Sequence, residues 1–345
     1  MKNKNIFKIN LIYFVAISLV AIIFLLGYSG ILTNDVITSF LIQIVVMFGI
    51  PLLMYKTLTK KSLKQTFKDI GLKKISGKMV ALSIILGVVL YFINSFVADA
   101  FSGILSMFGY ESLPSSQTTT FNYSMLLKDF VLSCILPGFC EEILHRGILL
   151  HARKKHTNTK TCLIISSILF GLTHLNIRQF FYAAILGFLM GYVSLVADSI
   201  IPSIIIHFMN NFLSNYFYYG SYLDWPLARF VNFVTNIFMS DIFIFVTTLT
   251  ICIILLLMLY YYLTKCMLKE RAKYEIKSIV LALKMEKMTL IQAQLQLNQV
   301  NRLLKHKHIN ESNKTKPSFF DNAFLIGSIV LGSILTISSF IWGII

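Results

Sequence analysis

The sequence predicts an all-α polytopic membrane bundle of about nine transmembrane helices, and three observations carry that prediction. Of 345 residues, 56% are hydrophobic and 13% charged, and the mean hydropathy is +0.74, far from the composition of a soluble domain. Several apolar runs reach the roughly 20 residues that a spanning helix needs. The basic residues between those runs fall on alternate sides, as expected when Lys and Arg are retained in the cytoplasm.

Taken in order, spans are expected near 9–28, 36–55, 79–107, 125–151, 161–176, 179–198, 200–218, 238–263 and 320–343. Lys2, Lys4 and Lys8 precede the first run, which is too long for a signal-peptide core and reads as a retained span. With the amino terminus in the cytoplasm, the loop after the second span lies inside. It holds Lys56, Lys60, Lys61, Lys64, Lys68, Lys73, Lys74 and Lys78 against Asp69. Arg153, Lys154, Lys155 and Lys160 also fall inside. The outer loops carry Asp35, Glu111, Arg178, Asp224 and Arg229 with no basic cluster. The formal net charge of +16 is thus spread over loops on one side of a membrane, which argues against a nucleic-acid partner. The five cysteines, Cys134, Cys140, Cys162, Cys252 and Cys266, form no metal-finger spacing and read as buried thiols. Cys140, beside Glu141 but in apolar surroundings, reads as inert rather than as a nucleophile.

The chain divides into an N-terminal two-span region with a basic loop (1–74), a core (75–220) and a C-terminal two-span extension (221–345). The extension holds a polar, basic segment at 264–318. Leu283, Leu290, Leu297 and Leu304 recur there every seven residues, the spacing of a helix–helix seam that would engage a partner protein. Glu286 and Lys287 occupy positions where such a seam needs apolar residues, so a basic amphipathic helix on the inner leaflet is the preferred reading. Residues 310–317 read as a flexible linker.

Within the fourth run stands Phe139-Cys140-Glu141-Glu142-Ile143-Leu144-His145-Arg146. Ionised groups at bilayer depth are costly and mark function by default. Glu142 and Arg146 are four apart and share a helix face, as an internal ion pair would. Glu141 is left without a local counter-ion. His145, next to Arg146, reads as an interchangeable position. Two further polar clusters interrupt apolar runs: His174 ends Phe170-Gly171-Leu172-Thr173-His174, and His207 and Asn211 lie four apart in the seventh run. At 1.5 Å per residue, Glu141 is about 18 Å from Arg153 and His174 about 21 Å from Lys160. His207 and Asn211 are about 12 Å and about 18 Å from the start of their helix. All four therefore fall within one slab of the membrane.

A carboxylate shielded from bulk water becomes a stronger general base and can activate a water molecule. Imidazoles and a carboxamide beside it can share the proton and stabilise an oxyanion. That set suits peptide-bond hydrolysis without a serine or cysteine nucleophile. Glu141, His174 and His207 could instead hold zinc with an open position for water, although no HExxH spacing is present.

Glu141-Glu142-xxx-Arg146, Phe170-xxx-His174 and His207-xxx-Asn211, in that order on successive spans, resemble the CPBP family of intramembrane proteases, the CAAX-processing and bacteriocin-processing or Abi enzymes. The resemblance covers roughly residues 75–220, and Lys68-Asp69-Ile70-Gly71-Leu72 is similar to the loop that often precedes the family core. It implies a CPBP-type helical core with a conical cavity open to membrane and cytosol. It also implies Glu141 as the water-activating base, His174 as its proton-sharing partner, His207 and Asn211 as oxyanion stabilisers, and Glu142 and Arg146 in support. The family has been described as metalloproteases, an assignment in dispute, so a divalent metal stays open. Low charge and Lys in excess of Arg suggest a bacterial chain in which prenylated substrates are not expected. Bacterial members of the family are linked to peptide maturation, peptide-signal processing and bacteriocin self-immunity. The expected substrate is a small membrane-associated peptide or protein, met in the cell membrane. A non-catalytic scaffold with the same fold that regulates a partner is the competing expectation. A proton-relay transporter is a third, and the lack of an internal repeat counts against it.

Overall fold

A computed structural model describes residues 3–111, 123–231, 242–304 and 317–343. Among these residues the regular structure is helical throughout, with no β-strand. The helices are α1 (Lys4–Tyr28), α2 (Asp35–Thr59), α3 (Leu63–Asp69), α4 (Gly77–Met107), α5 (Tyr123–Lys155), α6 (Thr159–Leu172), α7 (Ile177–Ala197), α8 (Ile201–Tyr222), α9 (Ile242–Lys284), α10 (Leu290–Leu304) and α11 (Phe319–Trp342). Seven stretches, in α1, α2, α4, α5, α7, α9 and α11, are long and apolar enough to cross a membrane. In hydrocarbon every backbone polar group needs an internal partner, which a helix supplies by itself. The protein is a multi-pass membrane protein built as a helical bundle. α6 and α8 stand outside those seven for different reasons. α6 has only 14 residues, about 21 Å of rise against a core of about 30 Å. α8 has 22 but carries His207, Asn210, Asn211, Ser214 and Asn215.

Sequence explains the helix boundaries and the breaks inside them. Side chains of Asn3, Asn34, Ser62, Ser76, Asn158, Asn176 and Ser318 accept backbone N–H groups at helix starts, the role their short oxygens suit. Pro51 and Pro137 lie inside long helices, where the ring removes a donor and crowds the preceding turn. Each follows a widened π-helical stretch, Leu41–Gly49 in α2 and Phe130–Ile135 in α5. A third wide stretch runs from Ile143 to Ala152. Such expansions are frequent at functional sites, and two of them flank Glu141 and Glu142.

Two apolar cores hold the bundle. One gathers Ile12, Tyr13, Ile17, Val46, Tyr55, Ile143, Leu144 and Leu169 from α1, α2, α5 and α6. The other gathers Leu86, Leu90, Leu186, Met190, Ile206 and Tyr260 from α4, α7, α8 and α9. The first two helices thus share a core with the segment that bears the paired glutamates. α11 packs along α1, where the Asn10 side-chain amide donates to the Asp321 carbonyl (2.8 Å). Buried phenols are also satisfied: Tyr13 donates to the Leu169 carbonyl (2.9 Å) and Tyr260 to that of Leu189 (3.0 Å).

At one end of the bundle lie the basic loops, pinned by two carboxylates. Asp69 pairs with Lys61 and with Lys155 (2.5 Å) and accepts from Tyr55 (3.1 Å). Asp198 pairs with Lys73 and Lys154 (3.1 Å), with His151 and Arg271 at 4.0 Å. Burial pushes both carboxyls up, but the surrounding cations outweigh it and hold both pKa values below the ordinary aspartate range. Between them Gly71 adopts φ +77° and passes so close to His151 that a Cβ would meet the ring, while its carbonyl accepts the Ile200 N–H (2.9 Å). That is the physical use of the Asp69-Ile70-Gly71 loop: it fastens the start of α8 to the end of α5.

The described part of the polar segment at 264–318 divides between two helices. Residues 264–284 continue α9 without a break, and α10 folds back against it through Ala272, Ile279, Leu283, Ala293, Leu297 and Val300. Leu283 and Leu297 lie inside this hairpin, but Leu290 is 79% exposed, so the seven-residue repeat marks two antiparallel helices and not one continuous seam. Nearly all of the expected linker, 310–316, lies outside the described residues.

Candidate active site

The short α6 creates the site. Its chain stops before the far face of the bundle, and His174 sits on the turn beyond its last residue, followed by Leu175 at φ +50°, a conformation uncommon for a leucine. Space remains above this turn: a cavity of about 1070 Å³ bounded by α4, α5, α7, α8 and α11. Glu141, His174, His207 and Asn211 all line it. The four sequence-predicted groups, from three helical segments, therefore face one space. α8 presents to it a stripe of His207, Asn210, Asn211, Ser214 and Asn215, the three- and four-residue spacing of one helix face.

The two adjacent glutamates have opposite surroundings. Glu142 is fully buried. One of its oxygens accepts from Arg146 Nη1 (2.6 Å) and from His207 Nδ1 (3.0 Å). Arg146 also donates to the Gly187 carbonyl (3.2 Å) and stacks its guanidinium 4.2 Å from the Phe170 ring centre. Glu141 is partly exposed to the cavity, and among the described residues it has no ion-pair partner. Its Oε1 accepts one neutral hydrogen bond, from Gln43 Nε2 at 2.8 Å.

Hydrogen bonds define the imidazoles. His174 Nδ1 faces the Phe170 carbonyl (2.9 Å), which can only accept, so the proton is on Nδ1 and Nε2 keeps its lone pair. His207 Nδ1 donates to Glu142, leaving its other nitrogen for the cavity side. Phe170 packs edge-to-face against His174 (5.3 Å) and His207 (5.6 Å) and locks both rings. The Asn211 amide donates once to the Ser133 carbonyl (2.8 Å) and retains a second N–H.

Two features depart from the sequence reading. His145 is not interchangeable: it is fully buried, bonded through Nδ1 to the Glu141 carbonyl (2.9 Å) and wedged between Tyr13 and Phe170. Gln43 escaped notice because it is a lone amide in an apolar run of α2, with no spacing relation to the motifs. A weak signal existed, since a buried amide needs a partner. For a metal, Glu141, His174 and His207 were the candidate ligands. Among the described residues no three His, Cys, Asp or Glu side chains are gathered closely enough to hold an ion. Cys134, Cys140 and Cys162 are buried free thiols.

The cavity is bounded by the far ends of α1, α4 and α11 and by the start of α7, through Tyr28, Ser102, Trp342 and Arg178. Among the described residues it extends toward the end of the bundle away from the basic loops.

Neither a curated protein nor a solved structure matches this chain. Residues 123–213 match the family model described as type II CAAX prenyl endopeptidase Rce1-like. The matched segment carries Glu141, Glu142, Arg146, His174, His207 and Asn211 together, so this part of the chain, about a quarter of its length, is similar to the CAAX-protease type of intramembrane endopeptidase.

Proposed function

We propose that the protein hydrolyses a peptide bond in a small membrane-associated peptide or protein, using water activated by Glu141. The observation that carries this reading is the contrast within the glutamate pair: Glu142 is spent on Arg146 and His207, whereas Glu141 faces the cavity held by a single neutral donor. Water bound at Glu141 gives its proton to the carboxylate as its oxygen attacks the scissile carbonyl. The oxyanion that forms takes a hydrogen bond from the second N–H of Asn211 and lies beside His207, whose ring Glu142 holds in place. His174 Nε2 shares the proton with Glu141 and passes it to the amide nitrogen. The C–N bond then breaks, leaving a carboxyl group on one product and an amine on the other. Phe170 and Gln43 position these groups and take no part in bond making.

The cell membrane, with the amino terminus in the cytoplasm, is the proposed location, supported by the gathering of basic loops at one end. In a bacterial cell the role would be peptide maturation, signal-peptide processing or bacteriocin immunity. The test is mass spectrometry of membrane peptides from cells carrying wild-type protein or Glu141→Ala. The expected result is a set of cleavage products present only with the wild type. If the variant yields the same peptides and preserves the cellular phenotype, a non-catalytic scaffold is the correct reading.

A further inference from the structure

Glu141 and His174 border two cavities. Besides the large one, a second of about 580 Å³ lies between α1, α2 and the end of α6. Glu141, His174, Phe24, Tyr28 and Leu175 belong to the walls of both. Glu141 and His174 thus stand between the two lobes. Their chemistry differs. The α1–α2 lobe is lined by Val20, Ile23, Phe24, Leu32, Ile42 and Met47. The larger lobe presents Asn94, Ser95, Asp99, Asn210 and Asn215. Both reach the end of the bundle where Asp35 and Arg178 stand, opposite the basic loops.

We infer that the site is fed from the extracytoplasmic face and cuts polypeptides where a membrane-embedded segment emerges into water on that side. The apolar residues on one side of the scissile bond lie in the α1–α2 lobe, and the polar residues on the other side lie in the larger lobe. A polypeptide laid across both lobes passes directly over Glu141 and His174. A purely soluble peptide would leave the apolar lobe unfilled, and a fully buried helix would have to desolvate the amides and the Asp99 carboxylate of the other, at a cost that burial alone does not offset. The orientation follows from the charge asymmetry: ten lysines from Lys4 to Lys78, with Arg153, Lys154 and Lys155, crowd the opposite end. This reverses the cytosolic mouth that the family resemblance implies. The inference rests on the hydrolase reading of Glu141 for its substrate, but not for the side of entry.

The side of entry is read by thiol labelling. Thr33→Cys, at the rim of the apolar lobe, Ser102→Cys, at the rim of the polar lobe, and Lys74→Cys, on the basic end, are each expressed in the full chain. Cys134, Cys140 and Cys162 are buried, and the half-buried Cys252 and Cys266 are replaced by serine in every variant and in the parent that serves as blank. In intact cells a membrane-impermeant maleimide should label the first two and reach Lys74→Cys only after permeabilisation. The reverse pattern overturns the inference whether or not the protein is a protease. Substrate class is read by mapping the cleavage sites that vanish with Glu141→Gln. They should cluster at the outer ends of membrane segments, with apolar residues on one side and polar residues on the other. Clustering at cytoplasmic ends overturns the proposed substrate. The absence of any such site overturns the hydrolase reading and the substrate with it, while the labelling still decides the mouth.

Discussion

The two ends of this bundle treat polar groups in opposite ways. At the basic end, Asp69 and Asp198 are each met by cations, and Gly71 allows two segments of the chain to touch. At the other end, His174 stands on the turn after a helix that is too short, and amides, imidazoles and a carboxylate surround open space. The same contrast is repeated inside one dipeptide: Glu142 is buried and held by Arg146 and His207, whereas Glu141 faces the cavity with a neutral donor. Saturated polar groups in a membrane protein hold helices in register. Groups left with spare hydrogen-bonding capacity beside a cavity are those able to act on something that enters it.

Exchanging the roles of the two glutamates is the sharpest way to break this comparison. Glu141→Gln should lower the rate of peptide hydrolysis by roughly 10²–10⁴-fold, the usual contribution of a general base, while detergent-solubilised protein melts as the wild type does. Normal activity in this variant would remove the functional half of the contrast. Arg146→Met should act on the structure instead. Leaving Glu142 buried without its cation costs about 3–5 kcal/mol, to be seen as a large loss of folded protein in thermal or denaturant unfolding. Restoring folding with Arg146→Met combined with Glu142→Leu would show the pair to be structural. A folded but inactive Arg146→Met would show that it also serves the chemistry.

A smaller effect is expected at Gln43. Gln43→Leu removes the one hydrogen bond that holds the Glu141 carboxylate, an interaction worth about 1.5–3 kcal/mol when one partner is charged. Hydrolysis should fall by about 10- to 100-fold with little change in apparent substrate affinity, and Gln43→Asn, which is too short, should not restore it. The smallest effect should lie at the basic end. Asp198 occupies φ +50°, which asparagine also tolerates, so Asp198→Asn isolates the charge. The wild-type carboxyl has a pKa below its unfolded value, set by Lys154, Lys73 and Arg271 against burial. Its stabilisation is therefore complete above the unfolded aspartate pKa of about 3.9 and is lost as pH falls through the lower, folded value. Asp198→Asn should lower the melting temperature slightly at neutral pH and reduce the acid sensitivity seen below about pH 4. Loss of hydrolysis in this variant would mean that the two ends are coupled.

Much of this arrangement was legible in the residues. Apolar runs and loop charges are one-dimensional properties, and so the helical membrane fold and the segregation of lysines could be read directly. The four-residue spacings Glu142–Arg146 and His207–Asn211 could be read too, because a helix repeats itself. Three points could not. His145 looked dispensable because sequence shows its neighbours along the chain, and its real neighbours are Tyr13 and Phe170. The stretch Leu283–Leu304 read as one amphipathic helix because the bend between α9 and α10 leaves no mark on the period. Gln43 looked like an exception in an apolar helix.

By itself, then, the sequence determined the class of the protein, the helices, the charge asymmetry of its two ends and which side chains could do acid–base chemistry, since all of these depend on composition and local period. Only the tertiary structure decided which glutamate pairs with an arginine and which faces the cavity, that a residue of α2 reaches the site, and that the cavity lies toward the end away from the basic loops. Those outcomes depend on how far each helix extends across the bundle and on which faces meet, and contacts between helices remote in the chain carry no signature in either helix alone.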